Sequence, residues 1–318
     1  MSCLDQNGTS RNFTVMTTSA QPGILAPVPR LGRYLFFSLA SAPDLRDALT
    51  ALAGQVDGQS VVLGLGSPCL EALGASVPGM RDFPVWPQAL VPLPATPVAL
   101  WCWLRATGDQ VDAGDLVLTT HRLAQALAPA LVLDRVVDAF RHGQGPGGHG
   151  RDLTGYEDGT ENPQDEAAAE AALVDSPRAG LAGGSFVAVQ QWLHDFQAFH
   201  AMDEASRDAI VGRRRSDNEE LDDVPESAHV KRTAQESFNP EAFVLRRSMP
   251  WAAGTQAGLM FVAFGRSFDA FEAQLRRMAG LEDGVVDAIF RISQPVSGAY
   301  FWCPPVDGSG LDLRWLGR

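Results

Sequence analysis

The chain lacks any apolar run near the ~20 residues that span a bilayer, so no membrane-crossing helix is expected. Its N-terminus is polar, with Asp5, Gln6, Asn7 and Arg11, and shows no basic segment followed by an apolar one. That pattern predicts a cytoplasmic protein rather than an exported one. Cysteine is scarce: Cys3, Cys69, Cys102 and Cys303 are scattered and form no Cys-x-x-Cys. This argues against a zinc site or a disulfide framework and for reduced, mostly buried thiols. Positive charge is also short. With 25 Lys and Arg against 38 Asp and Glu, the formal net charge is −13, and such a surface repels a phosphate backbone. No nucleic-acid partner is expected. The basic run Arg213-Arg214-Arg215 is followed at once by Asp217, Glu219 and Glu220, and reads as a solvated helix end rather than part of a site.

What is present suits a full core. The 318 residues are 45% hydrophobic and 20% charged, enough for one large domain or two of ordinary size. Residues 141–154 are glycine-rich and aperiodic, the best linker candidate. They divide the chain into 1–150 and 151–318, two halves of similar organisation. Strands are expected at 33–39, 60–65, 99–105, 185–191, 243–248, 259–264 and 297–302. Helices are expected at 44–53, 67–74, 119–139, 193–200, 203–211 and 268–278, the last from the one-sided spacing of Phe268, Phe271, Leu275 and Met278. Strands and helices interspersed in this way predict an α+β architecture with antiparallel pairing.

Three polar residues stand out. Asp158 lies on a Gly-flanked turn within Gly-Tyr-Glu-Asp-Gly-Thr-Glu-Asn-Pro, 155–163. An Asp-Gly turn alone mostly reverses the chain, and its company raises its weight. His229 follows in Ser-Ala-His-Val-Lys-Arg, and Arg246 in Arg-Arg-Ser-Met-Pro, 246–250. The first of these segments resembles the Gly-x-x-Asp-Gly motif of the dye-decolourising peroxidases. The fit continues with the His-to-Arg spacing, with residues 210–221, with Gly-Leu-Met-Phe-Val-Ala-Phe at 258–264, and with Val-Ser-Gly-Ala-Tyr-Phe-Trp-Cys-Pro-Pro at 296–305. The compact bacterial branch, class B, is the nearest match. Similarity is strongest from about 150 to 305 and looser before that.

The resemblance implies a duplicated ferredoxin-like fold of the dimeric α+β barrel type, two sheets face to face with peripheral helices and the haem site in the second half. It implies haem b, and without a Cys-x-x-Cys-His that haem is non-covalent. His229 is the expected axial iron ligand. His142 and His149 sit in the mobile-looking linker, while His121, His194 and His200 fall in helical patterns and read as surface or packing residues. A second carboxylate should orient the His229 ring; Asp287 is the candidate and Asp283 its competitor.

Asp158 would move the peroxide proton as base and then acid, and Arg246 would stabilise the charge that develops as the O–O bond breaks. An Asp beside Arg⁺ is expected to stay ionised. Alignment places Ser248 on the face of Arg246, where many relatives carry Asn. Leu259 and Phe261 alternate on the haem-facing side of their strand. Tyr156 departs from the more usual Phe and adds a hydroxyl, a radical or hydrogen-bonding site. Trp251, Trp302 and Trp315 read as packing residues.

The expected partners are hydrogen peroxide and small aromatic electron donors such as phenols or dyes. An alternative is a haem-holding or haem-delivery protein with incidental peroxidase activity, in which Asp158 and Arg246 would be expendable. Self-association fits the family. Service as cargo of a protein shell is the weaker reading, because Leu311–Leu316 looks like a final packed segment rather than a docking tail.

Overall fold

The computed structural model describes residues 19–316. Cys3 and the polar N-terminus behind the cytoplasmic expectation lie outside the described residues. The first half supplies strands β1 (Leu31–Leu39), β2 (Val61–Leu65), β3 (Leu100–Arg105) and β4 (Leu131–Phe140). The second supplies β5 (Ser185–His194), β6 (Leu245–Arg246), β7 (Met249–Ala253), β8 (Gln256–Gly265), β9 (Ser293–Pro295) and β10 (Ala299–Cys303).

All pairings among these ten strands are antiparallel. In the first half the order is β4-β1-β3-β2. In the second, β6 and β7 run as two pieces of one line along β8, β9 and β10 as two pieces along β5, and β8 pairs with β5. Counting β7 and β10 for these lines, the order is β10-β5-β8-β7, the same 4-1-3-2 permutation. The halves join through Ala139↔Trp251 and Trp302↔Leu65. Eight strand positions therefore close into a ring, a duplicated ferredoxin-like α+β barrel with helices outside.

Period-two alternation sorts every strand between two cores. Tyr34, Phe36, Trp101, Trp103, Val187, Val189, Met260, Val262, Phe264 and Phe301 point into the barrel. Their neighbours Leu35, Phe37, Leu100, Cys102, Leu104, Ala188, Ala263 and Trp302 point outward beneath the helices. Inside, Tyr34 stacks on Trp101 and Trp103 with centroids 6.1 and 6.0 Å away. Each such side chain is fully buried and contributes about 1.5–3 kcal/mol from removal of apolar surface. Trp251, Trp302 and Trp315 are buried packing residues as expected, and Leu311 and Trp315 tuck the last segment against the outer core.

Three expectations need correction. The helix expected at 119–139 is two elements, a helix at Ala113–Leu127 and strand β4. Asp112 caps the helix by accepting from Gly114 and Asp115 N–H. Pro129, which has no N–H to donate, separates helix from strand, and Val132, Val136 and Val137 favour a strand beyond it. The helix expected from 193 begins at Phe196, because β5 runs on to His194. Nor is 141–154 a free linker. Its backbone bridges His142 to Arg151 and Arg151 to Glu157, and Glu157 accepts from Gly147 N–H at 2.7 Å.

Candidate active site

The turn carrying Asp158 is held from both sides. Asp158 N–H donates to Gly150 O at 2.9 Å. Gly155 and Gly159 take φ of +92° and +97°, a left-handed backbone that favours glycine. Beyond the turn, Asn162 clamps it to β6: its Nδ2 donates to Arg246 O at 3.1 Å and its Oδ1 accepts from Arg246 N–H at 2.8 Å. One side chain thus replaces a strand partner and fixes where Arg246 stands relative to Asp158.

Asp158, Arg246, His229, Leu259 and Phe261 line a single cavity between β5, β8 and the helix Asp269–Met278. Leu259 and Phe261 are half-buried while Met260 and Val262 between and beyond them are buried, so the outer face of β8 is open at this point. Leu275, Met278 and Ile292 add further apolar wall.

His229 is the first residue of the short helix His229–Thr233. Its Nδ1 is hydrogen-bonded to Oδ2 of fully buried Asp287 at 2.8 Å. A carboxylate accepts, so Nδ1 carries a proton, which leaves Nε2 as the ring nitrogen available to a ligand. Asp287 is itself fixed, since Oδ1 accepts from Ile289 N–H at 2.8 Å. Asp283, the competitor, forms a bidentate pair with Arg232 at 2.7 Å to each oxygen and does not touch His229.

Asp158 Oδ1 lies 3.9 Å from Arg246 Nε, beyond hydrogen-bond reach. Arg246 Nε is buried without a partner. Although 28% of the Asp158 side chain faces open space, it is ringed by protein, and burial lifts its pKa above the ordinary carboxylate value. Arg246 opposes that lift, Asp152 adds to it and His229 opposes it. At this distance desolvation outweighs the pull of the arginine, so the net shift is upward.

The register along β8 runs unbroken from β6 to β7, and Arg247 N–H donates to Val262 O at 2.8 Å, so alternation holds and Ser248 lies on the face of Arg246. Ser248 lines a second cavity together with Asp158, Arg246 and Arg247, and its Oγ accepts from Val262 N–H at 3.3 Å. It is not among the residues lining the cavity of His229. Arg247 turns away to donate to Leu25 O at 2.7 Å.

Sequence reasoning missed His194, Asp152 and Arg213 as cavity residues. His194 is no helix-surface residue. It shares the outer face of β5 with Gln190 and Trp192, and its ring bonds Asp152 Oδ1 at 2.9 Å and Ser293 Oγ at 2.8 Å. The Gln190-x-Trp192-x-His194 alternation was the available signal. Arg213 is no free helix end: it is 13% exposed and binds Glu161 at 2.5 Å and Glu220 at 2.8 Å. His121 and His200 are exposed as expected.

Residues 149–308, half of the chain, match the family model described as Dyp-type peroxidase, C-terminal. The chain belongs to the Dyp-type peroxidases and is a peroxidase. A dye-decolorizing peroxidase of Mycolicibacterium paratuberculosis is 30% identical over 67% of this chain, though the match covers only 60% of that protein. That of Mycobacterium tuberculosis is 27% identical over 93% of this chain and 91% of its own length. Among solved structures, a DypB variant from Rhodococcus jostii RHA1 in complex with heme shares 25% identity at a TM-score of 0.77. It covers 88% of this chain and 94% of its own.

Proposed function

We propose that the protein is a haem b-dependent peroxidase with a non-covalent cofactor, reducing hydrogen peroxide and oxidising phenolic or dye-like donors in one-electron steps. The observation that carries this reading is the shared cavity: His229, backed by Asp287, borders the same space as Asp158 and Arg246. The residues fit the group. Nε2 of His229 has no hydrogen-bond partner among the described residues, apolar Leu259, Phe261 and Leu275 offer flat walls, and the orphaned Arg246 Nε calls for an acceptor.

Haem held by His229 would supply the electrons that reduce peroxide. Asp287 orients the imidazole and, as a buried anion, makes it a stronger donor. Asp158 takes a proton from the attacking oxygen of peroxide and returns it to the departing one, which leaves as water. Arg246 stabilises the negative charge that grows on the departing oxygen. A cytoplasmic setting suits the buried free thiols of Cys69, Cys102 and Cys303.

The test is the Soret band of the haem-loaded protein after one equivalent of peroxide. The expected outcome is a rapid shift that reverses on adding a phenol, slowed ~10²–10⁴-fold when Asp158→Ala and Arg246→Ala are combined. A double variant as fast as the parent would refute these roles. Ready loss of haem to an apo-acceptor with sluggish turnover would favour haem delivery instead.

A further inference from the structure

The chain has three tyrosines, and their phenols have different surroundings. Tyr34 is sealed in the barrel interior, and its hydroxyl has no partner. Tyr300 donates to Glu272 Oε1 at 3.2 Å, an oxygen already held by Arg81 at 2.8 Å. Tyr156 alone of the three lines the cavity shared by Asp158 and His229. Its hydroxyl donates to Asp208 Oδ1 at 2.5 Å, and both residues are buried.

Asp208 is well placed to receive a proton. It lies on the helix Glu204–Val211. Besides the phenol, its hydrogen-bond donor is the backbone N–H of Arg215, at 3.2 Å. The nearby guanidinium groups are engaged elsewhere: Arg215 lies 3.8 Å from Glu204, and Arg207 donates to Phe199 O and His200 O. No cation pairs with Asp208 among the described residues, so the phenol is its one side-chain partner.

Burial and the adjacent carboxylate raise the Tyr156 pKa far above the ordinary phenol value, so no phenolate is available to give up an electron. A phenol that loses an electron becomes a strong acid, and loss of the electron therefore requires a proton acceptor already in contact. The 2.5 Å hydrogen bond supplies one without movement of heavy atoms. A phenylalanine here would fill the same space with neither function.

We propose that Tyr156 is a redox-active tyrosine, a one-electron relay between the haem cavity and the helix Glu204–Val211 whose phenolic proton moves to Asp208. The proposal rests on the haem peroxidase reading above, because the peroxide-oxidised haem centre is its oxidant. In the forward step the Tyr156 O–H bond breaks, one electron reduces that centre, and the proton forms a new O–H bond on Asp208, leaving a neutral tyrosyl radical. An aromatic donor then returns one electron, and Asp208 returns the proton. This places an oxidising equivalent beside a helix whose residues Glu204–Ser206 are exposed, within reach of donors too bulky for the cavity.

The test is rapid freeze-quench electron paramagnetic resonance on the haem-loaded protein after one equivalent of peroxide, with the Soret band followed in parallel. Wild type, Tyr156→Phe and Asp208→Asn are compared. The expected result is a tyrosyl signal in the wild type, lost in Tyr156→Phe and largely lost in Asp208→Asn, where a hydrogen-bond acceptor remains but cannot take the proton. A responsive Soret band with no tyrosyl signal, or with one that survives Tyr156→Phe, overturns the relay and leaves the haem reading standing. A full signal in Asp208→Asn overturns the assignment of the proton. A Soret band indifferent to peroxide overturns both readings, since the oxidant would be missing.

Discussion

The two halves repeat one strand permutation yet treat the outer faces of their sheets differently. In the first half, Leu35, Phe37, Leu100, Cys102 and Leu104 are fully buried beneath two helices, Ala42–Ala53 and Ala113–Leu127. In the second, the corresponding face is dry only at one end, where Phe186, Ala188 and Ala263 join the outer core. At the other end Gln190, Trp192, Leu259 and Phe261 border a cavity. Between β1 and β2 stands a single 12-residue helix. Between β5 and β6 stand three α-helices of 6, 8 and 5 residues, two of which carry His229 and Asp208. The same scaffold is packed solid in one copy and hollowed in the other, so the second forgoes apolar burial to make room for chemistry.

The comparison can be broken by truncating matched outer-face residues. Leu35→Ala should destabilise the protein by about 2–5 kcal/mol, since it leaves a void in a filled core. Leu259→Ala, already facing open space, should cost below about 2 kcal/mol on the same grounds. Urea unfolding of the haem-free protein measures both, and equal losses would mean that the second face is as tightly packed as the first.

A smaller effect is expected at the carboxylate behind His229. Asp287→Asn keeps a cap for Ile289 but removes the buried charge from the imidazole. Haem affinity or turnover should fall roughly 10–100-fold. Haem titration with circular dichroism as a fold control decides it, and unchanged affinity and turnover would reduce Asp287 to a helix cap.

The smallest expected change is in pH dependence. The working form of Asp158 is the carboxylate, so the rate of the peroxide reaction falls as pH drops through its pKa. Burial puts that pKa above the ordinary value of about 3.9. Arg246 pulls it down, so Arg246→Leu should move the acid limb to higher pH, on top of its loss of rate. Stability runs the opposite way. A raised carboxyl pKa favours the folded state at low pH, and that contribution is lost as pH rises through the folded value. Stopped-flow rates across pH test the first point, and a limb that moves downward would contradict the assigned electrostatics.

Asp158, His229 and Arg246 were legible because each sits in a short local pattern, and the resemblance joined three patterns far apart in the chain. The alternation of β8 was enough to pick out Leu259 and Phe261. What stayed hidden depended on where elements end. With β5 stopped at 191, Trp192 and His194 had no assigned face, and three further residues of strand carry them into the cavity. β4 was hidden inside a pattern read as one long helix, although Pro129 marked the break. Arg213 looked solvated beside its acidic neighbours, yet Glu161, which it binds, is 52 residues away in the chain. Ring closure was equally invisible, because the strands that meet at Ala139↔Trp251 and Trp302↔Leu65 come from opposite halves.

That closure has a consequence for how the chain can be divided. Each half alone would carry two raw edges, β4 and β2 in one, the β7 and β10 lines in the other, with unsatisfied N–H and C=O groups along both. The most economical cure for such a fragment is a second four-stranded unit of the same permutation, whether the missing half supplied in trans or another copy of itself. The junctions are therefore the natural seams for splitting this enzyme into two complementing chains, and the places where an unpartnered fragment would first aggregate.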